Sequence, residues 1–142
     1  MTNNLDEKCI FCLIIKGKIP SFKVLETNYS LAFLDISPVS DGHTQIIPKY
    51  HARTIADLPD EYLRDVGPMM KKVAMATGVE NYNILQNNGR LAFQHVDHVH
   101  FHVIPKPNEK EGLVLSLEQN WPQKKVEKEE LANICERLKA KI

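Results

Sequence analysis

Charge of one sign is what this chain lacks most plainly: 18 lysines and arginines are balanced by 18 aspartates and glutamates among 142 residues, leaving no formal net charge. Without a surplus there is no global field to hold a nucleic acid or an anionic membrane, so neither is expected as a partner, and an anionic ligand has to be bound locally. No apolar run approaches the roughly 20 residues that cross a bilayer. The N-terminal Met-Thr-Asn-Asn-Leu-Asp-Glu-Lys also lacks the charged-then-apolar order of a signal peptide. The expected location is therefore intracellular: the cytoplasm, with the nucleus as a second compartment. Cysteines number three, an odd count in a chain with no export signal, which argues against a disulfide framework. Internal repeats, low-complexity tracts, a Gly-rich phosphate loop and a carboxylate pattern for catalytic magnesium are all missing. The length suits one domain with one sizeable core, and 43% hydrophobic content is ordinary for a globular chain.

What is present is histidine in a period of two. His98, His100 and His102 alternate with Val99, Phe101 and Val103, and Pro105 closes the run. In a β-strand the three imidazoles would line one face about 7 Å apart, with the apolar residues on the other. A helix would send residues two apart to different sides, and the β-branched and aromatic residues in between favour the strand. Three imidazoles on one face support three readings. They are satisfied structural groups under a loop, or a three-histidine metal site with an open position, or a catalytic set. In the last, one neutral imidazole is the nucleophile while its neighbours position phosphate and donate protons. Periodicity alone does not choose among them.

Elsewhere the pattern predicts a short helix over Ile10–Ile15 with Phe11 and Ile14 on one side, and strands over residues 21–26, 30–34, 43–47 and 82–87. Asp35 ends the second strand on the face of Phe33, and Asp41-Gly42 and Asn88-Gly89 are turn signals. The longest helical pattern opens at Leu58-Pro59-Asp60 and carries Tyr62, Val66, Met69, Met70, Val73 and Ala74. Gly67-Pro68 predicts a kink or a late start, and Gly78 the C-cap. Residues 125–142 are read as an amphipathic helix through Val126, Leu131, Ile134 and Leu138, expected to dock on its own domain, with a partner-binding tail as the alternative, and with Cys135 as a buried thiol. Residues 1–8 are expected to be disordered. Cys9 and Cys12 have the spacing of a metal half-site, a redox pair or two buried thiols.

The run from His98 to Ile104 resembles the signature of the histidine triad (HIT) superfamily, and segments 9–12 (CIFC), 32–38 (AFLDISP) and 42–49 (GHTQIIPK) resemble that family in the expected order. The likeness spans about residues 9–106 and is nearest to the Hint branch, the nucleoside phosphoramidases. It implies a single α+β domain over residues 1–142: an antiparallel sheet of about five strands, one long helix and a C-terminal helix. It implies a purine nucleotide ligand resembling AMP, with a lysyl or similar amine on phosphorus as leaving group, and a homodimer. By resemblance His100 is the nucleophile, His102 stabilises the phosphoryl oxygens, and His98 and His43 orient the set. Phe11, Ile14, Phe33 and Ile36 surround the base, Asp35 takes the ribose hydroxyls, and Asn87, Gln94 and His95 hold the phosphate. No cofactor is required for catalysis, while a structural zinc on Cys9, Cys12, His51 and His98 is one reading of the CxxC. The chain departs from the family pattern at Phe93, where glycine is usual, at His95 and at Asp97. A dinucleoside polyphosphate hydrolase or nucleotidyl transferase, and a nucleotide-binding scaffold without turnover, are the alternatives.

Overall fold

The computed structural model describes residues 4–142. Five antiparallel strands, β1 (Lys23–Glu26), β2 (Ser30–Leu34), β3 (Thr44–Pro48), β4 (Tyr82–Gln86) and β5 (Phe101–Pro105), form one sheet in the order β1-β2-β3-β5-β4. α1 (Ile10–Ile15) precedes them, α2 (Asp60–Thr77) joins β3 to β4, and α3 (Lys128–Lys139) ends the chain. Alternation along the strands sorts the side chains. Ala32, Ile46, Phe101 and Val103 face α2 and pack with its buried Tyr62, Val66, Met69, Val73 and Ala74. On the opposite face Leu31, Phe33 and Ile47 pack with Cys9, Phe11 and Cys12. Thus α1 covers only part of the sheet's second face, and the histidines occupy the rest.

Several elements differ from expectation. The histidine strand begins at Phe101, not at His98: the β3–β5 ladder runs Thr44↔Val103, Gln45↔His102, Ile46↔Phe101 and stops. Pro48 has no N–H to continue it, its carbonyl accepts from the His98 ring at 2.9 Å, and the Val99 N–H turns instead to the Ala52 carbonyl at 2.8 Å. α2 runs through Pro68 without a late start and ends on Gly78, whose φ of 69° is the left-handed cap that glycine adopts freely. α3 buries none of its residues, and Leu131, Leu138 and Cys135 are exposed, so the expected docking on the domain does not occur. Of the segment expected to be disordered, residues 1–3 lie outside the described part. Residues 4–8 are tied down, with Asn4 donating to the His51 carbonyl, Leu5 against the α1 cluster and Glu7 paired with Lys16 and Lys18. Among the described residues no helix is long and apolar enough to cross a membrane.

Candidate active site

The three histidines divide between two centres. His100 and His102 stay on the sheet face beside His43, their ring centroids 5.1 Å apart for each neighbouring pair. His98, with no exposed surface, turns the other way into the cysteines. Hydrogen bonds then assign the ring nitrogens. His100 Nδ1 donates to the His98 carbonyl oxygen at 2.7 Å, which leaves Nε2 with a lone pair. His43 Nδ1 accepts from the Val39 N–H at 3.2 Å, so its proton is on Nε2, which donates to His102 Nδ1 at 2.9 Å. His102 therefore carries its proton on Nε2. A lone pair on His100 and an N–H on His102 are the nucleophile and the donor that a phosphoryl transfer needs.

Electrostatics keep this set uncharged. Burial lowers the pKa of His100, and the His98 carbonyl and Asp35 offset only part of that. Burial, then the neighbouring His100 and His43, lower His102 to about 4, and burial lowers His43 against the pull of Asp35. A neutral imidazole is the form that can act as a nucleophile, and burial favours that form at His100.

His98 donates from Nε2 to Pro48, and its unprotonated Nδ1 lies 3.5 Å from Cys9 Sγ, 3.5 Å from Cys12 Sγ and 3.4 Å from His51 Nδ1. Cys12 Sγ is 3.4 Å from His51 Nδ1. Zinc bonds of about 2.3 Å to sulfur and 2.0 Å to nitrogen, set tetrahedrally, place S and N about 3.5 Å apart and two N atoms about 3.3 Å apart. The donor set fits such an ion in type and spacing. The CxxC sits where α1 begins, with Cys9 as N-cap accepting the Cys12 N–H at 3.5 Å. Burial pushes the Cys12 thiol up to about 12 in the absence of a cation. His98, expected in both the catalytic and the metal set, has both ring nitrogens committed here, and only its carbonyl reaches His100.

Two adjoining cavities open on the sheet face, sharing Phe11, Gln45 and Val96. The first, about 270 Å³, is lined by His43, Asn87, Phe93, His95, His100 and His102 among others. The second, about 240 Å³, is walled by Phe11, Ile14, Phe33 and Ile36, with Asp35 at its rim. Asp35 keeps acceptor capacity there: Oδ1 takes the Ser37 N–H and Oδ2 the Gln45 amide, both at 2.8 Å, while a carboxylate accepts about four hydrogen bonds. Gln94 is not brought to either cavity. Its Oε1 accepts from the Gly89 N–H at 2.7 Å and its Nε2 donates to the Arg53 and Val96 carbonyls, so it pins the loop instead of facing a phosphate. Gln45 was not foreseen. Its signal was available, two residues after His43 and so on the same face, as was that of Ile104 two residues after His102. Leu113 was not readable in this way. Gly112, at φ 86°, lets its loop lie against β5 where a Cβ would meet the Pro105 carbonyl at 2.7 Å, and so delivers Leu113 to the first cavity.

A five-stranded antiparallel sheet with a nucleophile-competent histidine beside a second and a fourth defines a histidine triad protein. A family model described as "HIT domain" matches residues 16–109, and the chain belongs to that family. Adenosine 5'-monophosphoramidase HNT1 of Saccharomyces cerevisiae is 51% identical over 138 residues, covering 97% of this chain and 85% of its own. Adenosine 5'-monophosphoramidase hnt1 of Schizosaccharomyces pombe is 54% identical over 134 residues, with 94% and 98% covered. Among solved structures, a histidine triad nucleotide-binding protein from Candida albicans superposes with a TM-score of 0.87 at 45% identity, over 94% of this chain and 96% of that one.

Proposed function

We propose that this chain hydrolyses the phosphorus–nitrogen bond of adenosine 5'-monophosphoramidates. Two fungal relatives that are each more than half identical carry that activity in their names. What carries the reading at the level of atoms is His100, neutral and with Nδ1 tied to a backbone carbonyl, so that Nε2 presents its lone pair to the cavity beside the His102 N–H. His100 Nε2 attacks the phosphorus of the substrate protonated on its amine nitrogen; the phosphorus–nitrogen bond breaks and the amine leaves neutral with that proton, while the His102 Nε2–H donates to a phosphoryl oxygen. Water then attacks the nucleotidyl-histidine in line, its oxygen bonding to phosphorus as the bond to His100 breaks and its proton passing to solvent, which releases AMP with His100 neutral again. The base lies in the Phe11, Ile14, Phe33 and Ile36 cavity. Asp35 accepts from the ribose hydroxyls, and Asn87 and His95 hold the phosphoryl oxygens.

Three further assignments belong to this reading. Cys9, Cys12, His51 and His98 hold a structural zinc, which would brace the segment leading to His100 without touching phosphate. Two copies of the chain associate, pairing along the free edge of β4, where Tyr82 and Ile84 are each nearly half exposed. The protein works in the cytoplasm. The reaction is tested with adenosine 5'-phosphoramidate followed by phosphorus NMR. His100→Ala is expected to lose several orders of magnitude in kcat while AMP still binds. A variant keeping more than about a tenth of the wild-type rate, a loss under about 1.4 kcal/mol, would remove the nucleophile assignment.

A further inference from the structure

Phe93 holds a conformation that glycine adopts freely and a side chain resists: φ 68°, ψ 26°. Apart from Asn4 it has the only positive φ among the described non-glycine residues. The loop leaves it no choice. Its N–H donates to the Arg90 carbonyl at 3.1 Å, the Asn87 amide holds its carbonyl at 3.3 Å, and the next residue, Gln94, is bonded to Gly89, Arg53 and Val96. A glycine would meet every one of these backbone demands without strain, so the benzyl group itself is what the site retains. That ring is not used in the core. It is 70% exposed and meets the His95 ring edge to face, centroids 4.3 Å apart.

Both rings line the cavity that holds His100 and His102, beside the apolar Val39, Leu85, Ile104 and Leu113 and the uncharged amides of Asn87 and Gln45. No carboxylate lines it: Asp35 lies behind His43, its Oδ2 3.5 Å from Nε2, and lines the other cavity. Asp97, the nearest acid along the loop, is occupied by Arg90 at 3.2 Å and Arg53 at 3.8 Å. The nucleoside has its own cavity on the far side of Phe11. What faces Phe93 across the phosphorus is therefore the group that leaves.

Resting on the phosphoramidase reading, we propose that Phe93 and His95 form a shelf for the leaving group, and that Phe93 sets its specificity for a flat, apolar amine over a cationic or zwitterionic one such as lysine. A flat ring stacks or meets edge-on with the two aromatic groups, whereas a second ammonium entering this wall would lose water without gaining a counter-ion.

Three substrates test it: adenosine 5'-phosphoramidates of ammonia, of benzylamine and of the lysine ε-amine, compared by kcat/KM. Wild type is expected to favour benzyl over lysyl by at least about tenfold, and Phe93→Ala to lower the benzyl-to-ammonia ratio by about tenfold, the scale on which an apolar pocket discriminates. Phe93→Tyr keeps a ring and is expected to keep the ratio. The ratio is internal to each variant, so a poorly folded preparation does not imitate the result. A Phe93→Ala ratio within twofold of wild type overturns the proposal. So does a wild type that cleaves the lysyl compound as fast as the benzyl one, or a change in sedimentation showing that the ring is an intersubunit contact. Failure of the wild type on all three substrates would overturn the phosphoramidase reading along with it; normal cleavage with an unchanged ratio overturns the shelf alone.

Discussion

At the scale of single residues the site is a short relay from the Val39 N–H through His43 to His102, with His100 held separately by a carbonyl. Removing His43 leaves His102 free to take either tautomer and so to lose its donor about as often as it keeps it. His43→Ala is accordingly expected to lower kcat by about twofold, the share of His102 left in the wrong tautomer, with KM little changed, and far less than His100→Ala. Steady-state kinetics on both variants decide this. The lowered pKa values also fix two pH responses. The acid limb of kcat/KM is expected below the ordinary histidine value of 6.5, because His100 becomes protonated only below it. For stability, His102 is near 4 in the fold and near 6.5 unfolded, so between those values the unfolded chain binds more protons. Its contribution is complete above about 6.5 and is lost as pH falls toward about 4. Melting temperature against pH should be flatter for His102→Gln; coincident slopes would contradict the burial of this imidazole.

At the scale of elements, the Cys9, Cys12, His51 and His98 set joins the start of α1, the chain after β3 and the approach to β5, three segments with no shared backbone ladder. Protein purified without chelator or nickel is expected to hold about one zinc per chain by elemental analysis. Cys12→Ser should lose the zinc and melt at a lower temperature. A chelator should lower the melting temperature and leave the initial rate of intact protein unchanged. The sheet-face alternation of His100 and His102 was legible because a period of two has one reading in extended chain. The strand's start was not, because it depends on Pro48, fifty residues from His98. Gln94 misled for the same reason: its partners are backbone atoms of Gly89, Arg53 and Val96, which no local pattern displays. In α3 the stripe through Leu131 and Leu138 announced an apolar face without saying whether anything in the same chain would cover it.

At the scale of the whole molecule, β5 lies between β3 and β4, which places β4 at the sheet's edge with its ladder on one side only. Strand order of this kind follows from pairings distant in sequence and could not be read from composition or period. An edge with half-exposed Tyr82 and Ile84 is a surface that chains either shield or pair. Sedimentation equilibrium at micromolar concentration is expected to give about twice the 16.2 kDa chain mass. Replacing Ile84 with lysine, a residue that guards free strand edges, should return the mass to that of one chain. A monomer throughout the wild-type range would exclude the pairing.

The bond from His100 Nδ1 to the His98 carbonyl has a genetic consequence. Where a histidine's tautomer is set by a carboxylate side chain, one codon change can erase the partner and scramble which nitrogen carries the proton. Here the partner is a peptide oxygen, present whatever amino acid is encoded at that position. A point mutation can delete this imidazole or displace the strand that carries it, but cannot replace the atom that keeps its Nε2 bare.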